Sequence, residues 1–176
     1  GRTCAGDVVC FDPGENILQA GILRTTSVPA QINGTQRMDL VFLAAKMMNA
    51  VDNVGIMGVE LFVTEQGLIV NEIAPRVHNS GHWTQNGCAV DQFEQHIRAI
   101  ANWPLADGSR HSDVTMTNLI GNDLDALEAL SSQAGTALHL YGKAEIKPGR
   151  KMGHYNSVPS QTSTCHNSDP QQLGGS

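Results

Sequence analysis

Two strand-like runs separated by a short polar segment constrain the fold of this chain more than any other feature. The runs, at residues 59–63 and 68–72, are mostly apolar, and the segment between them contains Gly67. Runs of this kind that flank a glycine-containing turn are typical of a β-hairpin, because glycine accepts the backbone angles of a tight turn. The pattern therefore predicts two antiparallel strands joined by that turn.

The predicted hairpin brings acidic side chains together. Folding the second run back sets Glu60 close to either Glu72 or Asn71, depending on the register that the turn selects. Facing carboxylates repel each other, so they need a cation or a proton between them. Magnesium suits such a position, because it binds one or two carboxylates together with water and substrate phosphates. The alternative is a solvated hairpin face that carries two unrelated acids.

A polar loop follows the second run directly. Pro75 and Gly81 interrupt residues 73–84, and few side chains of this segment are apolar enough to form a core. A loop that carries such polar side chains beside a carboxylate pair is typical of an anion or sugar-phosphate site. The side chains concerned are Arg76, His78, Asn79, Ser80, His82 and Thr84.

A basic turn near the C-terminal end is a second candidate anion site. Four of the eleven lysine and arginine residues fall within nine positions, and Pro148 and Gly149 place a turn among them. Arginine can grip a phosphate through two hydrogen bonds, and lysine acts as a point charge. The alternative is a solvated charged turn. The four residues are Lys143, Lys147, Arg150 and Lys151.

Composition narrows the class of protein. The chain of 176 residues is long enough for a domain with a real core, and 40% of its residues are hydrophobic. Its formal net charge of -6 argues against broad binding of nucleic acid. No apolar run approaches the length that spans a membrane, and the first residues do not resemble a signal peptide. The four cysteines lack metal-binding spacing, so we expect reduced thiols in a cytoplasmic protein.

Apolar periodicity predicts the remaining elements. Residues 35–51 and a segment from Asp91 to about Asn102 are expected to be helices, the second opened by a capping box. The stripes expected to be buried are Met38, Val41, Phe42, Ala45 and Met48 in the first helix, and Phe93, Ile97 and Ile100 in the second. Residues 124–131 predict a short helix, and extended segments are predicted at residues 8–11, 21–29, 114–120 and 137–141. Strands and helices without strict alternation indicate the α+β class.

Six segments together closely resemble the 5-(carboxyamino)imidazole ribonucleotide synthases. These enzymes are the ATPase subunits of bacterial phosphoribosylaminoimidazole carboxylase and belong to the ATP-grasp enzymes of purine synthesis. The most specific segment is residues 71–84, NEIAPRVHNSGHWT. The other five are residues 21–24, 59–63, 92–96, 118–121 and 148–154. The resemblance runs from about residue 6 to residue 156 and covers the C-terminal part of such an enzyme.

The resemblance implies an organisation into two folded parts and a tail. An ATP-grasp C-terminal lobe, with an antiparallel sheet and packed helices, is expected over residues 1–103. A small β-rich C-terminal domain is expected over residues 104–156, and the polar residues 157–176 are expected to be disordered. The family's N-terminal domain, its phosphate-binding lysines and its adenine-holding hinge would lie upstream of Gly1. The full-length family is expected to form homodimers.

The resemblance also implies a reaction. In the family, ATP phosphorylates bicarbonate to carboxyphosphate, and the carboxyl group is captured by the exocyclic amine of 5-aminoimidazole ribonucleotide. Glu60 and Glu72 would hold Mg2+ against the ATP phosphates, and Asn71 would lie in the same nucleotide site. Catalysis of this kind depends mostly on positioning and electrostatics.

The remaining site residues are expected around the acceptor. Those that would line the catalytic pocket for bicarbonate and the aminoimidazole are Arg76, His78 and Asn79. Those that would bind the phosphate of the ribonucleotide are Lys143, Arg150 and Lys151.

One position departs from the family, and two alternative functions stay open. The family usually shows an Asn-x-His pattern before Gly-Ile-Leu, but this chain has Leu18 where the histidine is expected to contact ATP. The first alternative is another ATP-grasp ligase, such as the formate-dependent glycinamide ribonucleotide transformylase. The second is a truncated domain that acts only in binding or oligomerisation.

Overall fold

The computed structural model describes residues 1–159, which form seven strands, four α-helices and two short 3-10 helices. The strands are β1 (Glu15–Gln19), β2 (Ile22–Val28), β3 (Gly58–Thr64), β4 (Gly67–Ala74), β5 (Val114–Ile120), β6 (Thr136–Leu140) and β7 (Lys151–Ser157). The α-helices are α1 (Gly34–Ala50), α2 (Thr84–Gly87), α3 (Gln92–Ile100) and α4 (Leu127–Ser131). The 3-10 helices are Asn79–Gly81 and Gly121–Ala126.

An antiparallel sheet of five strands forms the centre of the described chain. Its strand order is β1-β2-β5-β7-β6, and every neighbouring pair is antiparallel. Apolar side chains on β2 and β5 pack with the loop region before α3, and Trp83 from that region is only 2% exposed. Burying so large an aromatic surface contributes strongly to the hydrophobic stabilisation of the core. The core cluster consists of Leu23, Val28, Trp83, Cys88, Val114 and Met116.

The strands β3 and β4 form a separate two-stranded hairpin, as predicted. Thr64 pairs with Gly67 across the two-residue turn, and Gly67 has a φ of 122°, which a residue with a side chain adopts only under strain. Phe62 and Ile69 on this hairpin are each 54% exposed. Part of the hairpin surface is therefore apolar and open, which agrees with the pattern of the sequence.

Several predicted elements are confirmed, and so is the α+β class. The helix predicted at residues 35–51 is α1, and the helix predicted to begin at Asp91 is α3. The Asp91 carboxylate accepts hydrogen bonds from the backbone N–H groups of Phe93 and Glu94, which satisfies two donors at the helix start. The extended segments predicted at residues 21–29, 114–120 and 137–141 correspond to β2, β5 and β6.

Three local predictions are wrong or incomplete. Residues 8–11 form no strand. Val8 makes only an isolated bridge with Arg2, and such a single pair is too short to make a strand. The first strand is instead β1, and the strand β7 was not predicted. The helix expected at residues 124–131 is divided, since a 3-10 turn precedes α4.

The predicted buried stripes are also wrong in part. In α1 only Met48 is buried, whereas Met38 and Phe42 are each 73% exposed. In α3 the apolar residues Phe93, Ile97 and Ile100 are exposed, and the buried face carries Gln92, Gln95 and Ala99. Glutamine can replace an apolar residue at a buried position because its amide can pair with backbone groups that would otherwise lack partners.

The C-terminal end of the described chain is ordered past the expected limit. The strand β7 includes Ser157, and the N–H of Val158 donates to the carbonyl of Gly135. The rest of the expected tail, residues 160–176, lies outside the described residues. The sheet joins β2 with β5 across the expected boundary at residue 103, and the division into domains stays a prediction. Within residues 1–159, no helix has the length and hydropathy to cross a membrane.

Candidate functional site

The hairpin register places two carboxylates directly opposite each other. Glu60 on β3 pairs with Glu72 on β4, and the register shifts immediately afterwards, so that Leu61 pairs with Val70. This irregularity is a β-bulge in which Asn71 is the extra residue. The bulge explains why both residues that the sequence offered as partners lie beside Glu60.

Two asparagines hold the side chain of Glu60. The amide nitrogen of Asn71 donates to Oε2 of Glu60 at 3.3 Å, and that of Asn16 on β1 lies 3.5 Å from Oε1. Asn16 is itself oriented by the hydroxyl of Thr26, which donates to its carbonyl oxygen at 2.8 Å. The Glu60 side chain is 16% exposed and that of Glu72 is 51% exposed, so one carboxylate is enclosed and the other faces solvent.

His78 lies against both carboxylates. Its Nδ1 is 3.9 Å from Glu60 Oε1, and its Nε2 is 3.8 Å from Glu72 Oε1. Nδ1 accepts the backbone N–H of Ser80 and is 2.8 Å from the Ser80 hydroxyl, which leaves the proton of the neutral ring on Nε2, facing Glu72. Burial lowers the pKa of His78 more than the two glutamates raise it. The ring is therefore neutral near pH 7 and does not balance the carboxylates.

Two basic side chains, Lys151 and Arg76, lie within electrostatic range of the same site. The pKa of Lys151, on β7, is lowered chiefly by burial, and both Glu60 and Glu72 act to raise it. Arg76 acts on the pKa of both Lys151 and His78, and its guanidinium donates to the carbonyl of Val77. The structure thus brings one basic residue from each predicted anion site, Arg76 and Lys151, near the carboxylate pair.

The donor set fits Mg2+. Two carboxylates face each other, one enclosed and held by amides and one open to solvent, and a neutral imidazole rather than a cation lies between them. Hard oxygen ligands with room for water and phosphate are what Mg2+ requires. The residues that would hold it are Glu60 and Glu72, and no group of three or more His, Cys, Asp or Glu residues in the described chain forms a larger cage.

A cavity of about 570 Å³ opens beside the carboxylates. It lies between β1, α1 and β3, and Glu60, Asn71 and His78 contribute to its wall. Leu18 lines the same cavity and is half exposed. An apolar side chain therefore stands at the wall where the family pattern has histidine.

The basic turn is only partly directed at this site. Lys143 donates to the carbonyl of Lys151 at 2.6 Å and lies 5.4 Å from the centre of the Tyr141 ring. Arg150 donates to the carbonyl of Glu145 at 3.3 Å. Lys143 and Arg150 lie between β6 and β7, and Lys151 is the first residue of β7. Of these three residues, Lys151 is the one that lies in range of Glu60 and Glu72.

Asn79 forms an amide pair that sequence analysis did not find. Its amide exchanges two hydrogen bonds with Asn118 on β5, at 2.8 and 2.9 Å, and Asn118 also donates to the carbonyl of Leu23 at 2.8 Å. Asn118 is fully buried. In the sequence, residues 118–121 stand out only by their resemblance to the family. The alternation of apolar and polar residues along a strand does not indicate that an asparagine is buried.

Three histidines form a stacked column that was also missed. The ring of His154 lies 4.6 Å from those of His82 and His139, nearly parallel to both. His154 accepts a hydrogen bond from the Tyr141 hydroxyl and donates to Gln85. Burial is the main cause that lowers the pKa of His82 to about 4, that of His154 to about 3 and that of His139 in the same direction. The column is therefore neutral at pH 7, and it packs the loop after β4 onto β6 and β7.

Comparisons with protein families agree with this geometry. The ATP-grasp domain model matches residues 1–93, and the model of the phosphoribosylaminoimidazole carboxylase C-terminal domain matches residues 114–168. The first match covers the hairpin, the loop after it and the start of α3. The second covers β5 to β7 and the basic turn.

Two bacterial relatives carry the same name. The N5-carboxyaminoimidazole ribonucleotide synthase of Brucella melitensis is 48% identical over 162 residues, which are 92% of this chain and 45% of the relative. The synthase of Escherichia coli is 44% identical, over 90% of this chain and 44% of the relative. The chain thus spans less than half of the length of these relatives.

Solved structures give the same result. The ADP complex of an N5-carboxyaminoimidazole ribonucleotide synthetase superposes with a TM-score of 0.86 at 40% identity, over 90% of this chain and 42% of that one. The Aspergillus clavatus synthase, solved with ADP and 5-aminoimidazole ribonucleotide, has a TM-score of 0.79 at 36% identity, over 83% of this chain and 41% of that one. The chain therefore belongs to the ATP-grasp family and, within it, resembles the N5-carboxyaminoimidazole ribonucleotide synthases.

Proposed function

We propose that this chain supplies the metal-binding carboxylates and the acceptor-binding loops of an ATP-grasp carbon–nitrogen ligase. The reaction is the ATP-dependent carboxylation of 5-aminoimidazole ribonucleotide with bicarbonate, through carboxyphosphate. The observation that carries the proposal is the enclosed Glu60 opposite the open Glu72, with a neutral His78 between them. The relatives named above, and the two ligands in the Aspergillus structure, support the choice of substrates.

The roles of the chain's own residues follow from their contacts. Asn16 and Asn71 orient the carboxylate of Glu60, which lies opposite Glu72 in the hairpin. Mg2+ bound there would neutralise negative charge on the phosphate oxygens of ATP. Arg76 and Lys151 add fixed positive charge beside it, which suits bicarbonate and the phosphoryl group.

The acceptor side of the proposal rests on the loop and the basic turn. His78 lies beside the carboxylates, and Arg76 is within electrostatic range of His78. Asn79, although bonded to Asn118, keeps a second amide hydrogen for a substrate. The group proposed to bind the ribonucleotide phosphate consists of Lys143, Arg150 and Lys151. A cytoplasmic location and assembly into a homodimer belong to the same proposal. The free thiols of Cys4, Cys10 and Cys88 are compatible with the former, and the exposed apolar surface of the hairpin with the latter.

Calorimetric titration of the chain with ADP, with and without Mg2+, tests the metal-nucleotide part. We expect binding that requires Mg2+ and that weakens by about tenfold or more in Glu72→Gln, because one of the two charged ligands is lost. Glu65→Gln is the matched control, since it makes the same chemical change in the exposed turn of the hairpin. ADP binding that is unchanged by removal of Mg2+, or equal in both variants, would contradict the proposal.

A further inference from the structure

The buried face of α3 carries two glutamines that use their amides in the same way. Gln95 accepts the N–H of Ala106 at 3.1 Å and donates to the carbonyl of the same residue at 2.8 Å. Gln92 accepts the N–H of His78 at 2.9 Å and donates to the carbonyl of His78 at 2.8 Å. Each glutamine amide therefore pairs with the N–H and the carbonyl of one loop residue, as a neighbouring strand would. Only Gln92 pairs with a residue of the carboxylate site.

The oxygen and both hydrogens of the Gln92 amide take part in hydrogen bonds. Its carbonyl oxygen faces a backbone N–H, so its orientation is fixed, and its second amide hydrogen points to Nδ1 of His82 at 2.8 Å. The residue is 2% exposed. This buried amide thus connects His78, beside the carboxylates, with His82 in the histidine column.

The loop is closely fitted to Gln92. A Cβ on Gly81 would lie 2.5 Å from the Gln92 side-chain oxygen, so that no side chain is possible there without displacement of the amide. The backbone N–H of Gln92 donates to the hydroxyl of Thr84, which in turn donates to the carbonyl of Gly81. The loop from His78 to Thr84 is therefore fixed to the first turn of α3 at three points.

We propose that Gln92 is a positioning residue that sets the imidazole of His78 between Glu60 and Glu72. This inference deepens, and its functional consequence rests on, the proposed function. Gln92 does not touch the carboxylates. It acts through the backbone of His78, whose ring is within 4 Å of an oxygen of each glutamate. Residues that orient a metal site from outside its ligands affect metal affinity by about tenfold to a hundredfold.

The test compares two variants of equally buried glutamines in the full chain. Gln92→Leu and Gln95→Leu each remove a bidentate amide pair, and Gln92→Leu also removes the bond to His82, so urea unfolding should show a loss of stability in both variants that is larger in Gln92→Leu. Calorimetric titration with MgADP should show affinity reduced by about tenfold in Gln92→Leu and by less than about twofold in Gln95→Leu. The His78 ring signals in long-range 1H–15N NMR spectra should change only in Gln92→Leu, because its tautomer depends on the loop.

The outcomes separate this inference from the proposed function. If wild-type chain binds no MgADP, the proposed function fails, but the His78 signals still decide whether Gln92 positions the ring. Wild-type His78 signals in a folded Gln92→Leu variant, or equal effects of the two leucine variants on MgADP affinity, would overturn the inference. If Gln92→Leu does not fold, Gln92→Glu replaces it, since this variant keeps the volume and the acceptor for the His78 N–H but loses both donors. The same shifts in affinity and ring signals are then expected.

Discussion

Lowering the pH from 7 to 5 will destabilise this protein by several kcal/mol. The column of His82, His139 and His154 is neutral in the folded state, with pKa values of about 4 for His82 and about 3 for His154, against an ordinary value of 6.5. In the unfolded chain these rings take up protons as the pH falls below 6.5, while the folded chain resists protonation. Their contribution to stability is therefore complete above pH 6.5 and is lost progressively towards the folded-state pKa values.

The size of this effect follows from the linkage of protons to folding. Each pKa unit corresponds to about 1.4 kcal/mol, so two rings held neutral at pH 5 cost together on the order of 4 kcal/mol. Typical folding free energies are about 5 to 15 kcal/mol, which makes the loss a large fraction of the total. The pKa values of Asp107 and Asp123 are lowered, so their titration falls below this pH range.

Urea unfolding at pH 7, 6 and 5 measures this dependence. In His154→Asn we expect lower stability at pH 7 but a shallower slope, reduced by about 1 kcal/mol per pH unit on average between pH 7 and 5, because one proton fewer is linked to unfolding. His111→Asn is the control, since it removes an exposed imidazole whose side chain bonds only with neighbouring Ser112. Equal slopes in wild type and His154→Asn would show that the column does not control the acid response.

Replacing Asn118 by alanine will destabilise the protein by about 3 kcal/mol, because buried partners lose their hydrogen bonds at a cost of about 1 to 3 kcal/mol each. The partners left behind are the carbonyl of Leu23 and both polar atoms of the Asn79 amide. The free energy of unfolding at pH 7 checks this value. Asn122→Ala is the control, because Asn122 is exposed and its side chain makes no hydrogen bond within residues 1–159, and surface substitutions change stability by about 0.5 kcal/mol or less.

A double-mutant cycle separates the amide pair from other effects of the substitution. Because Asn79 and Asn118 bond to each other, the loss of stability in the double alanine variant should be smaller than the sum of the single losses by about 1 kcal/mol. Additive losses would mean that Asn79 and Asn118 do not stabilise the fold as a pair.

The hairpin and its facing acids could be predicted because they depend on local signals. Gly67 between two apolar runs specifies the turn, and the turn then determines which residues face each other. The register could be predicted only to within one residue. The choice between Asn71 and Glu72 was settled by a bulge that places both beside Glu60, and bulges leave no reliable mark in a single sequence.

The face of α3 and the strand β7 could not be predicted for a different reason. Periodicity arguments assume that apolar residues point inward. Gln92 and Gln95 are buried instead, because their amides form hydrogen bonds with the backbone of His78 and Ala106 in neighbouring loops. In β7, His154 and Asn156 are buried polar residues, where apolar residues would be expected. Their partners Gln85, His82 and Asn86 lie 69 to 74 residues away along the chain, so no sequence window contains this information.

A chimaeric enzyme tests the central claim most directly. The equivalent segment of the Brucella melitensis synthase, which is 48% identical over 162 residues, is replaced by this chain, and consumption of 5-aminoimidazole ribonucleotide is measured with ATP, Mg2+ and bicarbonate. We predict turnover that requires all three and that is abolished by Glu72→Gln but not by Glu65→Gln. A folded chimaera that binds MgADP as the parent does, yet consumes no ribonucleotide, would contradict the claim that this chain forms the acceptor side of the site.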